Sequence, residues 1–110
     1  MNPYYNHEEL GLDIVVFDQP DMYYEYNTLI FVKAKEGQRV FWAQDSGCSC
    51  PTPFEDYEGS TSEEVFAKMA RVPSFEEAQK IIWSWKKKWD DGTMIQVPSA
   101  DLRRLREWFK

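Results

Sequence analysis

The sequence predicts an α+β domain: a three-stranded antiparallel β-meander, extendable to four strands, packed against two to three C-terminal helices. Three observations carry that expectation. Strand-forming runs fill residues 10–45, helix-capping signals and a 3.6-residue apolar rhythm fill residues 60–110, and 110 residues is the size of one ordinary domain spanning 1–110. Hydrophobic residues make up 43% and charged residues 29%, so the chain has the material for a core and is not a disordered segment.

The first strand is read at Leu12-Asp13-Ile14-Val15-Val16-Phe17, a β-branched run closed by the turn formers Asp18-Gln19-Pro20-Asp21. A longer run from Tyr23 to Lys35 and another from Arg39 to Gln44 form a hairpin about Glu36-Gly37, where Gly supplies positive φ in a two-residue turn. That register sets Ile30 opposite Ala43, Phe31 opposite Trp42 and Val32 opposite Phe41. Large apolar groups therefore stand on both faces of the hairpin. One face meets the helices; the other is either covered or free to bind, including a second copy of the chain.

Residues 45–59 form a Cys- and Pro-containing loop that leads into the helical half. Ser60 with Glu63, or Thr61 with Glu64, makes a capping box ahead of a helix through Val65, Phe66, Met69 and Ala70, broken by Pro73. Ser74 with Glu77 opens the clearest helix, in which Phe75, Ala78, Ile81, Ile82, Trp85 and Trp89 fall in one arc. Lys86, Lys87 and Lys88 complement the dipole at its end, and Asp91-Gly92 stops it. Met94 to Val97 is a candidate added strand, and Pro98-Ser99 opens a last helix with Leu102, Leu105, Trp108 and Phe109 on its inner side.

Charge is unevenly distributed. Residues 1–64 hold thirteen acidic and three basic groups, and residues 65–110 hold six acidic and ten basic ones. The net charge of −6 argues against a protein that coats nucleic acid directly. No apolar run reaches the roughly 18 residues of a membrane span, and no export signal opens the chain, so the expected setting is cytoplasmic with reduced thiols.

The most distinctive stretch runs from Trp42 to Tyr57. Trp42, Ala43, Asp45, Ser46, Gly47, Cys48, Ser49, Cys50, Pro51, Pro53, Phe54 and Glu55 form the pattern Trp-Ala-x-Asp-Ser-Gly-Cys-Ser-Cys-Pro-x-Pro-Phe-Glu. It resembles the signature of a family of small uncharacterised proteins of actinobacterial viruses and their hosts. The likeness is closest over residues 10–60. It implies a phage-related origin, with no activity and no catalytic residues to carry over.

Taken residue by residue, Cys48 and Cys50 suit a soft metal, and His7 is the other conventional zinc ligand. Two ligands and a distant His make zinc an alternative and no cofactor the primary expectation. A Cys48–Cys50 bridge would close a small, labile ring, the basis of a redox alternative. A hydrolase built on Ser46 or Cys48 with His7 and Asp45 or Glu55 has only the letters of a triad. The acidic loops allow a further alternative, a nucleic-acid mimic that occupies a host protein. The aromatic content of 16% favours a macromolecule-binding protein without catalytic activity, as monomer or homodimer, with a bacterial host protein as partner. Its expected contact residues are Asp45, Phe54, Glu55 and Tyr57 in the loop, with Trp83 facing outward from its helix.

Overall fold

A computed structural model describes residues 1–19, 25–48, 52–89 and 95–110. Four strands form one antiparallel sheet in sequential order: β1 (Leu12–Asp18), β2 (Glu25–Ala34), β3 (Val40–Cys48) and β4 (Ala70–Val72). Three helices complete the domain: α1 (Ser62–Phe66), α2 (Phe75–Trp89) and α3 (Ser99–Glu107). The fold is α+β, as the sequence predicts.

The hairpin register is the predicted one, with Ile30 opposite Ala43, Phe31 opposite Trp42 and Val32 opposite Phe41. Its turn is wider than two residues. The ladder ends at Lys33–Val40, and the chain reverses through a turn in which Gly37 N–H donates to Ala34 O at 2.9 Å. Positive φ is found instead at Gly11 (70°), ahead of β1. At its other end β3 continues to Cys48, into residues that the sequence assigns to the loop over 45–59. Tyr26 sits directly opposite Gly47, and its ring lies across the glycine, with the hydroxyl 3.4 Å from where a Cβ would stand.

The fourth strand is not the expected one. The helix opened by Thr61 ends at Phe66, and Ala70–Val72 pairs with Val40–Trp42. Ile95 to Val97 forms no strand, and Met94 lies outside the described residues.

Alternation along the strands gives each face its own core. Val15, Phe17, Leu29, Phe31 and Val40 point to one side, where Ala78, Ile82 and Trp85 of α2 and Leu105 of α3 cover them. Leu12, Ile30, Val32, Phe41 and Ala43 point to the other, beneath Leu10, Phe54, and Val65 and Phe66 of α1. Phe41 and Phe66 stack with ring centroids 4.2 Å apart. The second hairpin face is therefore closed by the chain's own N-terminal segment, loop and first helix. Of the two alternatives the sequence leaves open for this face, covered or free to bind, the structure shows the first.

The capping signals work as read. Thr61 Oγ1 accepts from Glu64 N–H at 3.2 Å, and Ser74 Oγ accepts from Glu77 N–H at 3.2 Å. Phe75, Ala78, Ile81, Ile82, Trp85 and Trp89 all join the helix-side core or pack against it. The stop expected at Asp91-Gly92 lies outside the described residues. None of the described helices is long and apolar enough to cross a membrane.

Candidate functional site

The loop expected to carry the contact surface is largely a structural device. Asp45, at the far end of β3, accepts three hydrogen bonds through its carboxylate. Ser46 N–H donates to Oδ1 at 2.9 Å, while Phe54 N–H at 2.8 Å and Tyr26 Oη at 3.1 Å donate to Oδ2. The carboxylate thus ties the returning loop to the sheet.

Phe54 is 0% exposed, which corrects its place among the contact residues. Its backbone takes the left-handed conformation (φ 62°, ψ 23°), turning the ring inward between Tyr4 at 5.6 Å and Tyr57 at 5.9 Å. Such a conformation is costly for a residue with a Cβ, and burial of the ring offsets it. Glu55 is exposed at the start of a short 3-10 turn, Glu55–Tyr57. Tyr57 is half-buried, and burial raises its phenol pKa above the ordinary value, helped by the charges of Asp45 and Asp56.

His7 is the candidate metal residue whose surroundings the structure describes. His7 lies in the N-terminal turns, its Nδ1 3.2 Å from Tyr4 O and its Nε2 3.8 Å from Glu8. Cys48 is the last residue of β3, and Cys50 lies outside the described residues. Among the described residues no group of three or more His, Cys, Asp and Glu side chains converges on one point.

Trp83 does face outward, at 63% exposure, with Lys86 Nζ 5.2 Å from its ring centroid. It roofs a small recess of about 220 Å³ between α2 and α3, floored by Ile82, Val97 and Leu102. The opposite flank of α2 holds a feature that the sequence alone does not bring together. There a groove of about 380 Å³ opens between α2 and β3. Trp42 of β3 and Ile81, Trp85 and Trp89 of α2 make its walls; Gln44 and Ser84 add polar groups, and Lys80 and Lys88 stand at its rim.

The groove is braced from below. Asn27, 1% exposed, uses its Oδ1 to accept from Gln44 Nε2 at 2.7 Å and from Trp85 Nε1 at 3.0 Å. Its Nδ2 donates to Gln19 Oε1 at 3.1 Å, and Gln19 Nε2 donates to Trp89 O at 3.0 Å. A single buried amide therefore fixes the strand wall and the helix wall together, so the groove is preformed. The sequence signal was present in part: Ile81, Trp85 and Trp89 follow the i, i+4 rule. The missing element was Trp42, 43 residues before Trp85, which only the sheet register brings across.

A second groove of about 370 Å³ lies round the end of β4, between Ala43 and Gln44 on one side and Tyr57, Lys68 and Met69 on the other. Trp42 and Gln44 line both grooves. Neither is lined by an Asp or Glu among the described residues, although the chain as a whole has a net charge of −6.

These features define a small α+β domain with a two-sided sheet and an open, aromatic-walled edge. The chain belongs to the family described as a domain of unknown function, DUF7574, whose model matches residues 1–106. No curated protein and no solved structure matches it.

Proposed function

We propose that this protein is a non-catalytic, protein-binding domain whose contact surface lies on α2 and the neighbouring end of β3. One observation carries the reading: the preformed groove walled by Trp42, Trp85 and Trp89 and rimmed by Lys80 and Lys88. Tryptophan gives large contact area at low entropy cost, and buried bracing lowers the ordering cost of binding. Trp83 on the other flank of α2 and Tyr57 at the second groove are further contact residues in this reading. Asp45 and Phe54 serve it indirectly by holding the loop.

The lysine rims favour a partner segment that carries acidic groups. Such chemistry stands against the alternative of an acidic nucleic-acid mimic, because lysines, and no Asp or Glu among the described residues, line the two grooves. The Trp42–Glu55 motif supports a phage-encoded origin, hence a bacterial host protein as partner and the host cytoplasm as the setting. In this reading Cys48 and Cys50 shape the loop and hold no zinc. Native mass spectrometry with and without chelator and reductant checks that: a bare, reduced chain mass is expected, whereas bound metal or a bridge would move the function to the thiols.

The groove is tested by selecting a phage-displayed random peptide library against the immobilised protein. Peptides enriched on the wild type are expected to lose binding to the Lys80→Glu, Lys88→Glu double variant, whose exposed substitutions leave the fold intact. Failure to enrich any sequence, or enriched peptides indifferent to the charge reversal, would overturn the reading.

A further inference from the structure

The shortness of β4 leaves part of β3 open. β4 pairs with Val40, Phe41 and Trp42 only, whereas β3 runs on to Cys48. Which backbone groups face the open side follows from the ladder. Gln19 N–H donates to Asn27 O at 3.0 Å, and Lys35 N–H donates to Gly11 O at 2.9 Å, so the odd-numbered residues of β2 bond toward β1. Its even-numbered residues then bond toward β3, and their partners there are Phe41, Ala43, Asp45 and Gly47. Val40, Trp42, Gln44 and Ser46 consequently turn their N–H and C=O groups away from β2. The first two meet β4; Gln44 and Ser46 lie beyond its end. The Ser46 amide is capped by the Asp45 carboxylate at 2.9 Å. Among the described residues the open hydrogen-bonding stretch is thus Gln44 N–H, Gln44 C=O and Ser46 C=O, and Gln44, like Trp42, lines both grooves.

Resting on the reading that the groove binds protein, we infer that its occupant is an extended, acidic peptide segment that adds to the sheet beside Gln44, in line with β4. A strand laid there hydrogen-bonds through its backbone and sends alternate side chains to opposite faces. Apolar side chains enter the groove of Trp42, Trp85 and Trp89. The intervening ones meet the second groove, beside Tyr57 and Met69. Lys68, Lys80 and Lys88 flank the path, and no Asp or Glu among the described residues lines either groove, which selects glutamate- or aspartate-bearing segments and disfavours a second copy of this net-acidic chain.

The probe is a capped eight-residue peptide of alternating leucine and glutamate, with two isomers N-methylated on either the leucine or the glutamate amides. Tryptophan fluorescence reports binding, and amide hydrogen exchange by NMR reports on Gln44. With peptide at about ten times its Kd, exchange at Gln44 N–H is expected to slow about tenfold. One methylated isomer should bind at least about tenfold more weakly than the other, because only one set of amides faces β3. Equal binding of both isomers with Gln44 unprotected overturns strand addition and leaves groove docking by side chains. Absence of binding by the probe overturns the acidic-strand chemistry, while the library selection separately decides whether the groove binds protein at all. Gln44 protection that is present without peptide and lost on dilution identifies a second copy as the occupant and overturns the inference.

Discussion

At Asp45 one carboxylate organises a turn, a strand end and a cross-strand tyrosine, and its removal is correspondingly expensive. Asp45→Ala strands the amides of Ser46 and Phe54 and the hydroxyl of Tyr26, and we expect a loss of about 2–3 kcal/mol in urea denaturation. Phe54→Ala empties a fully buried site in the N-terminal-side core and should cost about 3–5 kcal/mol in the same measurement. Truncation there would unfold the loop's support rather than trim a contact, so the ring is unsuitable as a probe of binding. Tyr4 and Tyr57 give the molecule an alkaline limb. Burial raises both phenols above the ordinary value of 10.0, with Asp18 acting further on Tyr4 and Asp45 on Tyr57. The unfolded chain then loses those protons first. Stability is full below pH 10.0 and declines as pH rises through the raised native values, and Tyr57→Phe should flatten that decline in pH-dependent melts.

Helix α2 meets the sheet through a polar contact set inside an apolar one. Trp85→Phe keeps most of the packing and removes the bond to Asn27 Oδ1, an expected loss of about 1 kcal/mol. Asn27→Ala leaves Trp85 Nε1 and Gln44 Nε2 without their acceptor and should cost about 2–4 kcal/mol. In a double-mutant cycle the two losses should be strongly non-additive, since both act through one oxygen. The surface pair of Arg39 and Glu63 at 2.6 Å is a useful contrast. Both side chains are largely exposed, and Glu63→Ala should shift stability by no more than about 1 kcal/mol. Among the elements, α2 was the most legible in the sequence, because its cap, apolar arc and lysine-rich end all agree. Strand β4 was not legible: Ala70-Arg71-Val72 is three residues long, and only its pairing with Val40–Trp42 makes it a strand.

For the molecule as a whole, the sequence announced that both hairpin faces were apolar but not what would lie on each. The β2–β3 register was legible because Glu36-Gly37 marks its centre of symmetry. The left-handed turn at Phe54 has no such local sign, since a Pro-flanked aromatic reads equally well as an exposed loop tip. The groove was illegible for another reason: Trp42 and Trp85 meet only after the sheet and α2 are both placed. The finished sheet acts as a septum with a separate compartment on either side, and β2 is its middle rib. Along that rib the parity of the residue number is an address. Leu29 and Phe31 belong to the helix compartment, Ile30 and Val32 to the N-terminal one. Phe31→Leu combined with Ile30→Val, although adjacent in the chain, should therefore add within about 0.5 kcal/mol. Phe31→Leu with Phe17→Leu, whose rings stand 6.2 Å apart across one compartment, should depart from additivity by more than that. In β2, nearness along the chain and nearness in energy are two different maps.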